Sequence, residues 1–202
     1  VNYRCQLNGP WRGKLVLPEV RDRAILFLDG RKLGSFYRPD GAVTLELETP
    51  AGGAQLDVLV EEMGHINYGT RLGCDSKGLP GGVLVDNLQQ TMNFAVTPLD
   101  LSRLEQLPFR ALGTEGELSG PAFYRGEFAV DRIADTFLRF PGCKGTVWIN
   151  GFHLGRYWDI GPGDTLYVPR SILRSGGNAI AIFELEALRS SRPEFTDRPH
   201  LG

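Results

Sequence analysis

Two segments of this chain carry the side chains best suited to contact a ligand. The first, 61–83, reads EEMGHINYGTRLGCDSKGLPGGV and is a long polar, glycine-rich stretch with Asn67 and Tyr68 near its centre. Long ordered loops on a rigid scaffold are where binding residues tend to sit. We therefore predict that Asn67 offers a hydrogen-bonding amide and Tyr68 a flat ring to a ligand. The alternative is that both pin the loop to its own domain or to a neighbouring one.

The second segment, 145–169, reads GTVWINGFHLGRYWDIGPGDTLYVP and is rich in aromatic residues. Tyr157 and Trp158 could stack on the faces of a sugar through their apolar ring surfaces. Strand alternation sends Trp148 to the core. Packing within the fold is the alternative interpretation for all three aromatic residues.

The patterns expected of a catalytic site are missing from the sequence. There is no G-x-S-x-G nucleophile elbow, and GPGDTL lacks the last glycine and the helix of a phosphate-binding loop. Glu61 and Glu62 are adjacent, so on a strand their carboxylates point to opposite faces and cannot flank one bond. We assign no catalytic residue in this chain.

The possible metal ligands are too scattered to form a site, so we expect neither a metal nor a cofactor. They are Cys5, Cys74, Cys143, His65, His153 and His200. An odd number of widely spaced cysteines cannot pair completely within the chain, which favours a reducing compartment such as the cytoplasm.

Composition indicates an ordinary globular protein. Of the 202 residues 42% are hydrophobic and 23% charged, and the net charge is -2. Without a basic run we expect no nucleic-acid partner, and without a long apolar run we expect no membrane span. The chain begins at Val1 inside a stretch that is typical of a strand, so we expect further sequence upstream.

The pattern of apolar residues predicts an all-β protein. Short β-branched and aromatic runs recur between turn signals, and 26 Gly and 13 Pro punctuate them, as in antiparallel β-sandwiches. Only 100–107 and 169–176 are suited to short helical turns.

An internal repeat divides the chain. Residues 24–48 align without a gap on 145–169, at an offset of 121 residues, so that the Asp-Gly pair at Gly30 meets the Asn-Gly pair at Gly151. Both pairs predict a type I′ hairpin turn, because that turn needs positive φ at its two central residues. We predict two tandem β-sandwich domains, 1–100 and 101–202, the second including a linker and a C-terminal tail.

Several motifs together resemble one known family. VWINGFHLGRYWDIGPGDTLYVPRSIL, NAIAIFELE, VRDRAILFLDG and EEMGHINYGTRLGCDSKGL are similar to the noncatalytic C-terminal region of glycoside hydrolase family 35 β-galactosidases. The resemblance covers nearly the whole chain and implies two jelly-roll domains of the galactose-binding-like type. It also implies a partner, an upstream TIM barrel of the same polypeptide, which carries the two catalytic glutamates and takes a β-galactoside substrate.

The resemblance assigns one loop a role at the substrate entrance. In relatives the tyrosine of INYG reaches toward the mouth of the barrel pocket, and Tyr68 is the matching position, with Asn67 beside it. Glu62 and His65 differ from the family pattern ENMGRINYG, which has asparagine and arginine at these positions.

Three functions remain open at this point. The chain is expected to be the accessory region of a retaining β-galactosidase, which supports the barrel and shapes its entrance and is inactive alone. The alternatives are a stand-alone carbohydrate-binding module that uses the exposed aromatics, and a protein-interaction module with an exposed apolar patch.

Overall fold

The computed structural model describes residues 1–86, 88–89, 93–112, 118–190 and 192–201. The chain forms two compact units, Val1–Leu101 and Ser102–Gly202, which we call unit 1 and unit 2. Their regular structure is almost entirely antiparallel β-strand, which confirms the all-β prediction. No helix in these described ranges is long and apolar enough to cross a membrane.

Unit 1 contains two sheets that pack face to face. The sheet orders are β4-β3-β6-β1-β9 and β5-β2-β7-β8. The strands are β1 (Asn2–Leu7), β2 (Trp11–Leu17), β3 (Arg23–Leu28), β4 (Arg31–Tyr37), β5 (Val43–Thr49), β6 (Ala54–Glu61), β7 (Leu84–Val85), β8 (Leu88–Gln89) and β9 (Ala95–Thr97). The core takes Leu26 and Leu56 from the first sheet and Leu15 and Leu47 from the second.

The described part of unit 2 contains antiparallel sheets of four, three and two strands. Their orders are β11-β16-β13-β14, β15-β12-β18 and β10-β17. The strands are β10 (Leu118–Ser119), β11 (Ala122–Val130), β12 (Thr136–Arg139), β13 (Lys144–Ile149), β14 (Phe152–Trp158), β15 (Thr165–Val168), β16 (Gly176–Glu184), β17 (Ala187–Leu188) and β18 (Glu194–Thr196). Val147, Ile149 and Ile182 meet Leu138 and Val168 in the core.

In the part of the chain that the structure describes, helical structure is limited to single 3-10 turns. Leu104–Gln106 and Arg170–Ile172 form two of them, inside the segments where the sequence predicts short helical turns. A third turn, Arg38–Asp40, follows β4 and has a proline as its second residue.

The sequence repeat is visible in the two main hairpins. β3–β4 has a bulge between Leu26 and Phe27, and β13–β14 has one between Val147 and Trp148, again 121 residues later. A bulge leaves one residue unpaired and bends the strand, so its position is a structural signature of a hairpin. The two hairpins therefore share one backbone design.

The predicted type I′ turns close both hairpins. Asp29 and Asn150 have φ of 48° and 52°, and Gly30 and Gly151 follow with 77° and 82°. Asp and Asn tolerate this left-handed conformation better than other non-glycine residues because their short side chains can hydrogen-bond locally.

Each turn residue also fastens the hairpin to the neighbouring strand. The Asp29 N–H donates to the Gln55 carbonyl, 2.9 Å, and the Gln55 N–H donates to Asp29 Oδ1, 2.8 Å. Asn150 and Ala179 make the same pair of bonds at 2.9 and 3.0 Å. The turn thus sets the register of β3 on β6 and of β13 on β16.

A buried cation under an aromatic ring recurs at equivalent positions of the two units. The Arg23 guanidinium lies 5.3 Å from the centre of the Tyr37 ring, and Lys144 Nζ lies 4.6 Å from that of Trp158. Arg23 is 1% and Lys144 4% exposed. The negative face of the ring offsets part of the cost of burying the charge.

We expect the two bonds at Asp29 to be measurable as stability. Asp29→Ala should cost about 1 to 2 kcal/mol in urea unfolding, since alanine is strained at positive φ and the acceptor for the Gln55 N–H is lost. Asp29→Asn is the matched control. Asparagine tolerates positive φ and keeps an acceptor oxygen for the Gln55 N–H, so this substitution should cost less than about 0.5 kcal/mol. Equal losses for the two variants would contradict this account of the turn.

Candidate functional site

The segment 62–83 leaves the end of β6 and returns to β7 as an exposed loop. Asn67 and Tyr68 are both exposed on it, and Tyr68 is 90% exposed. Two turns follow, closed by hydrogen bonds from Leu72 N to Gly69 O and from Cys74 N to Arg71 O. A ring this exposed does not pin the loop to unit 1, which leaves it available to a ligand or to another part of the protein.

One carboxylate oxygen joins the two limbs of this loop. Asp22 Oδ2 accepts a hydrogen bond from the Met63 N–H of the outgoing limb, 2.9 Å, and one from Lys77 Nζ of the returning limb, 2.7 Å. Reciprocal backbone bonds of 3.0 and 2.8 Å between Arg21 and Gly78 hold the returning limb against the chain just before β3. The loop therefore has the closed base of an Ω-loop.

Further charges complete a cluster around this base, which we call the neck. The Asp75 carboxylate contacts Lys77 at 2.9 Å, Arg38 at 3.0 Å and Arg21 at 3.4 Å. The neck consists of Glu19, Arg21, Asp22, Arg38, Asp75 and Lys77. With three acidic and three basic groups its formal charge is balanced, which is what burial of ions requires.

The neck keeps its central groups ionised. Burial opposes the ionisation of Asp22, but hydrogen bonds from Lys77 and from the Met63 N–H outweigh it and hold the pKa of Asp22 below its ordinary value. The Lys77 hydrogen bond is the main cause that lowers the pKa of Asp75. Burial opposes the charge on Lys77, yet its two carboxylate partners raise the Lys77 pKa. The neck is therefore an ion cluster at neutral pH.

The prediction from sequence named the loop but missed the neck. Asp22 and Lys77 are 55 residues apart in the chain, so no local pattern joins them. One signal was present: the charged run Arg21, Asp22, Arg23 stands at the start of an otherwise apolar strand. Buried charges need partners, so this run pointed to ionic contacts from elsewhere in the chain.

The two positions at which the loop departs from the family pattern contact each other. His65 Nε2 and Glu62 Oε1 form an exposed pair on the outgoing limb.

Tyr157, predicted as a sugar-stacking residue, lies in the core of unit 2. It is only 9% exposed, and its ring packs 4.6 Å from that of Phe140. Its hydroxyl donates to Glu184 Oε2, 2.6 Å, inside the core. Burial raises the Tyr157 pKa, and the hydrogen bond to Glu184 raises it further. A sugar therefore has no access to this ring, and the stacking prediction is wrong for Tyr157.

Trp158 and Trp148 lie on the other face of the same sheet. Trp158 is half-buried and has Lys144 over its ring, so stacking on a sugar stays a prediction for this residue. Trp148 is buried as predicted, but Val147 and Ile149 are the β13 residues in the core cluster, and alternation places Trp148 opposite them. Its ring packs 5.1 Å from His153. The prediction that Trp148 points into the core of unit 2 was therefore wrong, although the residue is buried.

A groove of about 1030 Å³ lies along the edge strand β11 of unit 2. Phe109, Phe123 and Tyr124 supply aromatic lining, and Arg110 and Arg125 supply charge. No local sequence pattern predicts this groove, because its walls come from separated segments. Among the described residues that line it there is no pair of carboxylates for glycosidic chemistry. Within the described ranges no three acidic, His or Cys side chains gather as metal ligands.

Two antiparallel β-sandwich units, one of them presenting a long loop with a closed base, define an all-β protein of the sandwich class. The family model "Beta-galactosidase, first all-beta domain" matches residues 1–100, and "Beta-galactosidase, galactose-binding domain" matches residues 121–178. The chain belongs to the β-galactosidases, as their accessory β-domains and not as a stand-alone carbohydrate-binding module.

Individual relatives agree with the family models. The β-galactosidase of Xanthomonas manihotis is 42% identical over 174 residues, which cover 85% of this chain and 28% of the relative. The β-galactosidase of Homo sapiens is 40% identical over 215 residues, which cover 91% of this chain and 31% of the relative. The chain thus spans less than a third of the length of these relatives. Among solved structures, an α-L-rhamnosidase of Streptomyces avermitilis complexed with L-rhamnose is 14% identical, and the match covers 91% of this chain and 21% of the rhamnosidase chain. Its TM-score of 0.29 is too low to bear on the fold.

The neck predicts how the stability of unit 1 depends on pH. Because the pKa values of Asp22 and Asp75 are depressed, their contribution is complete above the ordinary value of 3.8 and is lost as the pH falls below it. Because the Lys77 pKa is raised, its contribution is present below 10.5 and is lost as the pH rises through the folded value.

Calorimetric melts should therefore show unit 1 losing stability between about pH 4 and pH 2. Asp22→Asn should weaken this acid dependence, since the group that must be protonated is gone. Glu46→Gln, which removes an exposed carboxylate on β5, is the control and should leave the acid dependence unchanged. An Asp22→Asn profile parallel to that of the parent chain would contradict the ionic account of the neck.

Proposed function

We propose that this chain is the accessory region of a retaining β-galactosidase, in which it supports an upstream TIM barrel and shapes the entrance to its pocket. Hydrolysis of terminal β-galactosyl residues then belongs to the barrel. The family assignment and the share of the relatives that the chain spans support this proposal.

The observation that carries the proposal is the exposure of Tyr68 on a loop with a fixed base. An isolated exposed aromatic is common on protein surfaces. Here, however, both limbs of the loop bond to the largely buried carboxylate of Asp22, so the base of the loop is defined while the Tyr68 ring faces outward. Tyrosine suits a partly wet contact, because its ring packs on apolar surface and its hydroxyl still reaches a polar partner. The Tyr68 ring is thus suited to line a substrate entrance.

The charges of the chain also fit a supporting role. A retaining glycosidase needs two carboxyl groups about 5 to 5.5 Å apart on either side of the scissile bond. Glu184 is wholly buried and accepts hydrogen bonds from Tyr157 and from the Lys144 N–H. The central acids of the neck are ion-paired and stay ionised, so they cannot serve as a general acid at neutral pH.

Substitution of Tyr68 in a full-length enzyme that contains this segment tests the proposal. A contact at the pocket entrance can orient the substrate but cannot replace an acid or a nucleophile. Tyr68→Ala should therefore lower kcat/KM about threefold to tenfold, the equivalent of one aromatic contact, and should change the preference among leaving groups. The melting temperature should stay near that of the parent enzyme, since the ring is exposed.

Trp148→Ala is the matched stability control. It removes a buried aromatic side chain and should cost about 3 to 5 kcal/mol of unit 2 stability, with little change in leaving-group preference. The proposal fails if Tyr68→Ala leaves the kinetics of several β-galactosides unchanged and lowers the melting temperature as much as Trp148→Ala does.

A further inference from the structure

The backbone of Asp22 is fixed by hydrogen bonds to two neighbouring segments of unit 1. The Asp22 N–H donates to the Glu61 carbonyl at the end of β6, 3.1 Å, and the Asp22 carbonyl accepts from the Arg38 N–H, 2.7 Å. Its side chain is 8% exposed. Asp22 therefore belongs to the rigid part of unit 1, and the loop is what attaches to it.

The returning limb is fixed next to Lys77 by steric limits as well. Gly78 has φ of 92°, and a Cβ on it would lie 2.6 Å from the Tyr3 hydroxyl oxygen. A side chain at this position would be strained by the positive φ and would have to displace the Tyr3 hydroxyl. Lys77 is thereby held where its ammonium reaches Asp22 and Asp75 at 2.7 and 2.9 Å.

The middle of the loop has much weaker support. Its backbone turns are closed by bonds of 3.3 and 3.1 Å, and residues 67–74 are all exposed. Exposed backbone hydrogen bonds with little apolar burial around them open easily. The described contacts that join the two limbs therefore lie at the base of the loop, where Met63 and Lys77 both bond to Asp22 Oδ2.

We propose that Asp22 and Lys77 are positioning residues for substrate selection: their ion pair holds the two limbs of the loop together and thereby fixes Tyr68 at the entrance. This inference rests on the proposed function of Tyr68. It adds that a polar contact at the base of the loop sets the position of the residue that acts at its tip.

Limited proteolysis of the 202-residue chain tests the clamp without any assay of activity. Arg71 is exposed on the loop and offers a trypsin site. Lys77→Met keeps the length of the side chain and removes its charge, so cleavage after Arg71 should be at least about fivefold faster, as expected when a local opening becomes easier. Lys77→Arg keeps a cation and should restore most of the protection.

Arg4→Met is the matched control for the loss of an ion pair. Arg4 contacts Asp57 at 2.7 Å on the β1–β6 pair of the same unit, and no described contact joins it to the loop. Its substitution should leave cleavage after Arg71 unchanged. The clamp is disproved if Lys77→Met and Arg4→Met cleave at the parent rate, or if both accelerate cleavage equally.

A double-mutant cycle in the full-length enzyme then tests the link to Tyr68. Lys77→Met should lower kcat/KM by about the same threefold to tenfold as Tyr68→Ala, mainly through a higher KM. In the Tyr68→Ala background the same substitution should change kcat/KM by less than about twofold, since coupled residues are not additive. Asp22→Asn replaces Lys77→Met if that variant does not fold.

The outcomes separate the two proposals. If Tyr68→Ala has no kinetic effect while Lys77→Met still exposes Arg71, the clamp stands and the proposed role of Tyr68 fails. If Tyr68→Ala has its effect and the two substitutions are fully additive, the positioning role of Asp22 and Lys77 is overturned.

Discussion

The structure around the candidate site depends on the two hydrogen bonds that one oxygen of Asp22 accepts. Burying a carboxylate is costly unless its charge is paired and its lone pairs are used. Asp22 meets both conditions with Met63 and Lys77, which belong to the two limbs of one loop. The groups that neutralise the buried charge are therefore also the groups that bring the limbs together. A loop that had only its own turns for support would leave Tyr68 without a defined direction.

The two units share one hairpin design but differ in the segment that follows it. Both contain the same bulged hairpin, the same positive-φ turn and a buried cation under an aromatic ring. After the closing strand they differ: β16 is followed closely by β17, whereas β6 is followed by the whole segment 62–83. A rigid sheet tolerates such an insertion because the loop lies outside the core. The candidate site thus resides in the part of unit 1 that the shared frame does not dictate.

Sequence reasoning succeeded where the physics is local. Turn chemistry at Asp29 and Asn150 predicted both hairpins, since few residues accept positive φ. It failed at Trp148 because all six residues of β13 are buried, so burial on that strand does not alternate and cannot indicate the core face. It failed at Tyr157 because a neighbour distant in sequence, Glu184, accepts the phenol hydrogen bond and makes a polar tip acceptable in the core. The neck was missed for the same reason, since the pairs that hold the loop, such as Asp22 with Lys77, join residues far apart in the chain.

The most direct test of the account is hydrogen exchange of the loop in the full-length enzyme. Amide exchange of residues 64–76 should be measured in the 202-residue chain, in the full-length enzyme and in the full-length enzyme with galactose, the expected product. The account predicts that the amides at Asn67, Tyr68 and Gly69 exchange more slowly in the full-length enzyme than in the chain, and more slowly still with galactose. The same exchange rates in all three samples would contradict a role for this loop at the substrate entrance.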